Sequence, residues 1–478
     1  MRSAYLTPTR RRADAMRSIA PRIGLLTLIG ISLALAAVSL LLPLHGLSVI
    51  AYDPMVWLIW GREVAHLDLQ TVSGPSWKPL PVMFTTAFSL FGDHAAPSLW
   101  LVVGRAGGVL GLIAAYRVAS RLGGWVAGVL AVAALMLQSD FLLNAVRGDS
   151  DALTVAMILV GVDAHLSGHR YGALAAAAAV ALMRPESWLF AGAYGLWLLY
   201  DARGTERQRQ TLLVVLGAAV LVLALWFIPE KLASGHFLRG AQRAREPVAG
   251  SPAQAAFPFL AVFTNSIKVL PWPVYVGAAV AVLVAVVRLV RERVVTVPLI
   301  LAGASTIYML IVAALAQIGF TGNPRYVIPP SSLLAVLAGI GFVLAGRFLV
   351  ERYRRRVALV AGAVLLAAAA PAVAAQSHRL YNRTQRLRVV ARQYAELPSV
   401  IAAGGGARAL ARCGGIATGP YQTPIVAWLL HVPQHYVALD AQVPGVVIAP
   451  YYTTKLVNDP RFPTAIKRGR WIVLTTCG

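Results

Sequence analysis

An acidic residue follows directly on the first long apolar stretch of the chain. Asp53 lies in the run Tyr-Asp-Pro-Met-Val-Trp at 52–57, which opens a polar, aromatic-rich segment that extends to about Asp93. Ionisable groups are costly at a membrane, so an acid there is a candidate for function. Asp53 could cap a helix that begins at Pro54, or it could act as a general base towards a hydroxyl group. The two roles are compatible because a capping carboxylate is held in place.

Four basic residues could bind an anion such as a phosphate. Lys78 stands between prolines and aromatic residues in Trp-Lys-Pro-Leu-Pro, and a lysine there acts as a point charge. The arginines offer a fork that matches phosphate; they are Arg147, Arg184 in Arg-Pro-Glu and Arg325 in Asn-Pro-Arg-Tyr. Each has a structural alternative, such as snorkelling for Lys78 and local pairing for Arg184. Their shared side of the membrane favours an anion site.

Other polar residues near these positions could support such a site. Glu63 lies along the helix that follows Asp53, either as a second acid or as part of a solvated face. The remaining supporting candidates are Glu186, Tyr326 and His236.

Asp149 and Asp151 form an Asp-x-Asp pair that could hold a divalent metal through oxygen ligands. They also suit a helix N-terminus, where negative charge meets the helix dipole. The pair alone favours the capping role, and the metal stays open.

The composition requires a membrane protein. The chain is 58% hydrophobic and only 13% charged, and its mean hydropathy is +0.68. A soluble globule could not cover so much apolar surface. Hydropathy and loop charge predict about eleven transmembrane helices. They lie near 23–44, 97–116, 123–138, 150–166, 171–183, 187–200, 211–228, 272–288, 294–315, 327–346 and 357–377.

The net charge of +24 is mainly a matter of topology. Arginines cluster on every second connection, beginning before the first span, which is the positive-inside pattern and not that of a nucleic-acid binder. This predicts a cytoplasmic basic N-terminus at 1–22 and a transmembrane domain at 23–377 with outward loops 45–96 and 229–271. The predicted extracytoplasmic domain is 378–478. The loop 229–271 departs from the rule because it is itself basic.

Local patterns add detail to the outward segments. Residues 54–66 suggest a short helix in the membrane interface, capped by Asp53. The tail starts with a basic helical stretch, Arg379 to Arg388, and continues with strand-like runs such as Gly445–Ala449 and Trp471–Thr475. This predicts a small α/β domain. Cys413 and Cys477 both lie in the tail, where a disulfide and free thiols are both open.

The order of these features resembles the GT-C superfold of integral-membrane glycosyltransferases. Members use a sugar carried on a polyprenyl phosphate and have an essential acid in the first outward loop. The positions that match are Asp53, Lys78-Pro79-Leu80-Pro81, Arg184-Pro185-Glu186, Arg325-Tyr326 and the outward domain 378–478. The chain departs from many relatives in one respect: Asp53 is followed by Pro54, where they have an Asp-Glu pair. This departure implies that Asp53 acts alone or with Glu63 as a second acid, and it leaves a metal requirement open.

The resemblance implies an inverting transfer at the outer face of the plasma membrane. Asp53 would deprotonate an acceptor hydroxyl of a cell-envelope glycan, lipid or protein. Lys78, Arg184, Arg325 and Arg147 would bind the donor phosphate. The Ala- and Arg-rich composition is similar to chains that use decaprenyl-phosphate mannose or arabinose. No cofactor is required by this interpretation, with a divalent metal left open.

Two other classes compete with this interpretation. A transporter or flippase for an anionic lipid-linked substrate would also need outward arginines, but it should show internal repeats and polar residues across the bilayer midplane. The sequence shows no repeat and few such residues. In a non-catalytic assembly protein, Asp53 would be a helix cap only. The chain carries no Walker loop, dinucleotide glycine motif or His-Glu-x-x-His, so nothing indicates nucleotide chemistry.

Overall fold

A computed structural model describes residues 24–41, 48–246 and 249–477. The predicted cytoplasmic segment 1–22, with its arginines, lies outside the described residues, as do both ends of the first predicted span. The predicted outward loop 45–96 is described from residue 48 onwards.

Helices dominate the described chain. Apolar or mixed helices form its membrane part, and these are α1 Leu25–Leu41, α2 Tyr52–Ala65, α3 Pro79–Ser89, α4 Ala95–Gly123, α5 Trp125–Met136, α6 Ser139–Arg147, α7 Ser150–Leu166, α8 Arg170–Ala181, α9 Trp188–Asp201, α10 Gln208–Ser234, α11 Arg239–Ala244, α12 Pro258–Ser266, α13 Trp272–Glu292, α14 Val297–Gln317, α15 Ile328–Arg352 and α16 Arg355–Ala403. The C-terminal part adds α17 Ala407–Arg412, α18 Thr423–Leu430 and α19 Thr454–Val457.

Each of the eleven predicted spans coincides with a helix or with the start of one. Six helices of the described chain are long and apolar enough to cross a membrane, namely α4, α10, α13, α14, α16 and α15 with its preceding turn. The pair α5 and α6 would make a seventh, but it bends by 71°. Helices α1 and α8 are apolar and shorter. The chain is thus a multi-pass membrane protein, as its composition predicts.

Helix α15 lies at the centre of the membrane part. It packs against α13, α5, α14 and α4, and small residues allow the closest of these approaches. A Cβ placed on Gly341 would lie 1.8 Å from the carbonyl oxygen of Gly277 in α13. One on Gly339 would lie 2.3 Å from the carbonyl oxygen of Ala127 in α5. Such contacts are typical of membrane helices, which associate through close backbone packing.

The C-terminal part is the small α/β unit that the sequence predicts. Its strands are β1 Gly415–Ala417, β2 Val437–Ala438, β3 Gly445–Pro450, β4 Thr464–Arg468 and β5 Trp471–Thr475. They form one sheet in the order β2-β1-β3-β5-β4. Strands β2, β1 and β3 are parallel, while β3, β5 and β4 are antiparallel. A disulfide joins Cys413 to Cys477.

Helix α16 connects the two parts without a break. It runs for 49 residues across the predicted boundary at 377/378, and it contacts α15 at one end and β5 at the other. In addition, α18 of the C-terminal part packs on α2. The α/β unit is therefore held against the same end of the membrane part that carries Asp53.

The prediction that Asp53 caps a helix beginning at Pro54 is wrong. Helix α2 begins at Tyr52, its N-cap is Ala51, and no side chain caps it. The backbone N–H of Ala51 donates to the carbonyl of Arg147 (3.1 Å), and its own carbonyl accepts the first helical bond from Met55 (3.1 Å). This tertiary contact sets the helix start, which places Asp53 inside the first turn. The nine residues from Asp53 to Gly61 are all buried, so α2 is an internal helix and not an exposed interfacial one.

We predict that Gly341→Ala lowers the melting temperature of the purified protein, because the added methyl group must push α15 away from Gly277. The matched control is Gly346→Ala on the same helix, where a Cβ meets nothing within 4 Å. It should leave stability unchanged or slightly higher, since alanine favours a helix by about 1 kcal/mol over glycine. Equal melting temperatures for the two variants, measured in one detergent, would contradict the central packing of α15.

Candidate active site

Asp53 forms an ion pair with Arg325, which lies 272 positions later in the chain. The Nη2 atom of Arg325 donates to Oδ2 of Asp53 at 2.8 Å. Arg325 belongs to the short 3-10 turn Pro324–Val327 that precedes α15. The side chain of Asn323 caps this turn by accepting the Arg325 backbone N–H at 3.1 Å. Two irregular helix starts thus bring the first candidate acid and the last candidate cation together.

A second ion pair, Asp151 with Arg184, lies deeper. The two side chains are 1% and 2% exposed, and Asn144 also donates to Asp151 at 3.1 Å. Asp151 is in the first turn of α7, and Arg184 precedes the turn Pro185–Ser187. Nη1 of Arg184 lies 4.0 Å from Oε1 of Glu186. A buried pair of this kind is satisfied only when both partners are present.

The ring of Tyr326 links the two pairs. The guanidinium of Arg184 lies 4.8 Å from the ring centroid, and that of Arg325 lies 5.6 Å from it. Cations at such distances are attracted by the face of an aromatic ring. Tyr326 therefore holds two like-charged groups close together, which free arginines would avoid.

Lys78 and Asp149 complete the cluster. The ammonium group of Lys78 is buried, donates to Oγ of Ser150 at 3.1 Å, and lies 5.2 Å from the ring of Trp57. Asp149 is the N-cap residue of α7 but makes no side-chain cap bond. Its carboxylate instead lies 3.8 Å from Arg325 and 3.8 Å from Arg147.

The mutual charges shift the pKa values of the cluster. Burial opposes ionisation of Asp53, but the charges of Arg325, Lys78 and Arg184 together outweigh it and hold the pKa of Asp53 below its usual value. Burial, aided by the two arginines, lowers the pKa of Lys78 to about 8. Asp149 is different, because burial outweighs its cations and raises its pKa to about 6. At neutral pH Asp53 is thus held as a carboxylate by the cations around it.

The acids of the cluster face arginines and not one another. Asp149 pairs with Arg147 and Arg325, and Asp151 pairs with Arg184. Within the described ranges, no three His, Cys, Asp or Glu side chains are grouped so that they could hold a metal ion. Lys78, Arg147, Arg184 and Arg325 supply positive charge to this site.

Two predicted supporting residues lie elsewhere. The carboxylate of Glu63 accepts the backbone N–H of Gln70 at 3.0 Å, and burial raises its pKa to about 7. It stands ten residues after Asp53, about 15 Å along α2. His236 is exposed, and its backbone N–H bonds to Ser234. Residues that the sequence did not single out are Asn144 and Ser150; only their position beside Asp149 and Asp151 could have indicated them.

The basic segment 229–271 contacts the chain segments that precede Lys78 and Arg325 of the cluster. Its α11 places Arg239 and Arg243 against the loop before Lys78, where they donate to the carbonyls of Pro75 (2.7 Å) and Gly74 (3.1 Å). The carbonyl of Ala244 accepts the N–H of Thr321 at 3.2 Å, just before Arg325. The positive charge of this segment thus serves largely to hold backbone carbonyls.

An apolar groove of about 530 Å³ ends beside the cluster. It lies between α7, α8, α9, α14 and α15, and Ser187, Tyr308, Pro329 and Pro330 line it near the cluster. The hydroxyl of Ser187 donates to the carbonyl of Arg184 at 2.7 Å. Near its other end the lining includes His165, Tyr194 and Trp197. The site thus combines a polar, charged head with an apolar channel.

We predict that Arg184→Gln destabilises the protein by about 3–5 kcal/mol, because it leaves Asp151 buried without its cation. The control is Arg170→Gln, which breaks an ion pair with Asp201 whose partners are 49% and 32% exposed. That variant should cost about 0–1 kcal/mol. Melting temperatures in detergent compare the two, and adding Asp151→Asn to Arg184→Gln should recover part of the loss. A loss no larger than that of the control would contradict the burial of this pair.

Comparison with solved structures identifies the fold of the whole chain. No family model and no curated protein matches the sequence. Among solved structures, ArnT from Cupriavidus metallidurans bound to undecaprenyl phosphate aligns with a TM-score of 0.53 at 14% identity, over 95% of this chain and 98% of ArnT. The same ArnT in the apo state aligns with a TM-score of 0.53 at 15% identity, over 92% of this chain and 97% of ArnT.

A more distant match is the oligosaccharyltransferase of Archaeoglobus fulgidus in its apo form. It has a TM-score of 0.49 at 13% identity, over 89% of this chain and 69% of the other. The two ArnT structures confirm the fold that the sequence resemblance predicts. The chain has the GT-C fold, with its membrane helices and its C-terminal unit aligned over nearly its whole length.

Proposed function

We propose that the chain is a membrane glycosyltransferase that takes a sugar from a polyprenyl-phosphate donor. One observation carries the proposal: Asp53 lies in one cluster with Lys78, Arg184 and Arg325, and an apolar groove ends beside that cluster. Sugar transfer from such a donor requires a base for the acceptor hydroxyl, an anion site for the phosphate and an apolar groove for the lipid. The fold supports the same reaction, since ArnT in this fold binds undecaprenyl phosphate.

The donor would bind with its lipid in the groove and its phosphate at the cations. The groove is lined almost wholly by apolar side chains and reaches Ser187, next to Arg184. Arg184 and Arg325 offer forked donors that suit phosphate oxygens, and Lys78 adds a mobile point charge. Lys78 and Arg184 are buried and Arg325 is partly buried, so little water screens the charges of the first two and some reaches the third.

The reaction would be a single displacement with inversion. An acceptor hydroxyl loses its proton to Asp53, and its oxygen forms a bond to the anomeric carbon of the sugar. The bond from that carbon to the phosphate oxygen breaks in the same step, and polyprenyl phosphate leaves with the electron pair. Asp53 contributes the base, while the cations stabilise the charge that grows on the phosphate.

The acceptor would enter from the side of the C-terminal unit. This unit covers α2, with the guanidinium of Arg62 4.7 Å from the ring of Trp428 and Thr423 donating to Tyr52 at 3.4 Å. The disulfide Cys413–Cys477 supports an oxidising compartment, and therefore the outer face of the plasma membrane. A cell-envelope glycan, lipid or protein with a free hydroxyl is the expected acceptor, and mannose or arabinose is the expected sugar.

The transporter or flippase is the weaker candidate. It would bind the same lipid phosphate but would have no use for a carboxylate held ionised next to the cations. Product formation separates the two functions, because a transporter releases its substrate unchanged.

Asp53→Asn should reduce the rate of sugar transfer by about 10²–10⁴-fold, because the amide cannot accept the proton. The measurement is product formation by purified protein given a panel of polyprenyl-phosphate sugars and an envelope extract as acceptor. Asp68→Asn, an exposed acid of the same loop, is the matched control and should retain activity. Donor binding should persist in Asp53→Asn. Full activity of that variant would remove Asp53 from the chemistry.

Transfer should also weaken at alkaline pH. Lys78, whose pKa burial lowers to about 8, is charged below that pH and loses its charge above it. The donor phosphate then loses one of its cations, so the rate at limiting donor should fall as the pH rises through about 8. Lys78→Arg keeps a charge at every accessible pH, so its profile should lack this decline. An identical decline in both proteins would assign the titration to another group.

A further inference from the structure

A second polar cavity lies outside the reactive cluster. It has a volume of about 430 Å³ and is enclosed by the start of α6, the end of α12 with the turn after it, the turn before α15 and the middle of α16. Its lining is Ser139, Asp140, Asn265, Lys268, Val269, Pro324, Gln376, Arg379, Asn382, Arg383 and Arg386. None of the residues assigned above to donor binding or proton transfer is among them.

Four cations face one carboxylate in this cavity. Arg379, Arg383 and Arg386 recur at helical spacing, so they share one face of α16. Lys268 contributes from the opposite wall. Asp140 is the only acid of the lining, and it pairs with Arg383. In the described part of the chain, neither Arg386 nor Lys268 has an ion-pair partner, so the cavity carries uncompensated positive charge.

The walls of the cavity are held by specific bonds. The carbonyl of Lys268 accepts from Nε2 of Gln376 at 3.2 Å and from Nη1 of Arg379 at 3.2 Å, which fixes α16 against the turn after α12. Ser139 and Asp140 begin α6, so the positive end of that helix dipole lies here. Asn265 and Asn382 add neutral donors. The combination suits an anion with several oxygen acceptors, such as a phosphate group.

The position of the cavity indicates where that phosphate comes from. Helix α16 leaves its apolar stretch at about residue 377, so Arg379 to Arg386 occupy its first polar turns. Large apolar side chains close in sequence to the lining residues stay exposed: Ile267 is 65% exposed, Trp272 43% and Tyr381, on the other face of α16, 60%. Tryptophan and tyrosine are typical of the headgroup level of a bilayer. Basic pockets between membrane helices at this level bind lipid head groups.

We propose that this cavity binds the phosphate of an anionic phospholipid from the surrounding leaflet, independently of the sugar donor. The lipid phosphate would accept from Arg379, Arg386 and Lys268, while Arg383 stays paired with Asp140. Its acyl chains would lie along the exposed apolar surface near Ile267 and Trp272. Because α16 also carries the C-terminal sheet, a lipid bound there would stabilise the joint between the two parts of the molecule.

The test measures the melting temperature of the full-length protein in neutral detergent against added lipid. Short-chain phosphatidylglycerol should raise it in a saturable way, while phosphatidylcholine and inorganic phosphate at equal concentration should not. Arg379→Gln/Arg386→Gln should weaken the apparent phosphatidylglycerol affinity about 30-fold, from about 1 kcal/mol per cation. Arg388→Gln/Arg392→Gln removes the same charge from α16 outside the cavity and should leave the affinity unchanged.

Four further outcomes decide the assignment. Lys78→Met, which alters the reactive cluster, should keep its phosphatidylglycerol affinity; a loss there would mean that the lipid binds at the donor site. A shift with inorganic phosphate as large as that with phosphatidylglycerol would overturn the lipid assignment. If the double variant folds poorly, Arg386→Gln alone should still lower the affinity, since the Arg386 side chain makes no hydrogen bond or ion pair in the described chain. Unchanged phosphatidylglycerol affinity in both Arg379→Gln/Arg386→Gln and Arg386→Gln would overturn the proposal.

Discussion

Charges that are taken out of water must be compensated, and this requirement organises the molecule around Asp53. Asp151 with Arg184 is a fully buried pair and Asp53 with Arg325 a partly buried one, and in each pair the acid lies in the first turn of a helix while the arginine lies at a turn that precedes another helix. Removing either partner leaves a charge that the interior cannot solvate. The segments before α3, α7, α9 and α15 and the start of α2 must therefore meet at one place. Close backbone packing brings the membrane helices together, but the pairing of charges fixes which helix ends converge.

This constraint accounts for the irregular backbone around the site. Gly148 has a φ of +76° between α6 and α7, a conformation that suits glycine. Its carbonyl accepts the indole N–H of Trp100 at 2.9 Å, and its Cα lies so near α4 that a Cβ on Gly104 would approach it to 2.7 Å. The turn is thus clamped from one side. Such clamping lets Asp149 and Asp151 face the arginines from the first residues of α7.

The sequence was sufficient to predict the helices and strands, which depend on local composition. Apolar runs located the helices, and the strands at Gly445 and Trp471 followed from short apolar runs between turns. Contacts between positions that are distant in the chain could not be predicted from the sequence. The start of α2 depends on a bond from Ala51 to Arg147, so the capping signal of Asp-Pro predicted a helix start that is two residues too late. The apolar run predicted as one span at 123–138 also gave no sign of the 71° bend that follows α5.

The same limit explains the candidate site. Motifs with a proline beside a charged residue indicated Lys78, Arg184 and Arg325, because proline marks the helix starts at which those side chains emerge. Asp53, found as an acid beside an apolar run, joins them. Glu63 was a candidate second acid only because it is near Asp53 in sequence. The rise of the helix places the two carboxylates far apart. Nothing in the sequence could indicate that Tyr326 would lie between two guanidinium groups.

The pairing of Asp53 with Arg325 also bears on how the proposed reaction would gain its rate. A phosphodiester donor carries one negative charge, and the departing lipid phosphate carries a second. When Asp53 accepts the acceptor's proton it becomes neutral and no longer holds Arg325. In the proposed reaction that guanidinium, which already binds the donor phosphate, would then interact with it more strongly as the phosphate gains charge. The site would therefore bind the transition state more strongly than the donor, which is the condition for catalysis. An arginine already in place, and paired until that moment, needs little reorganisation to do so.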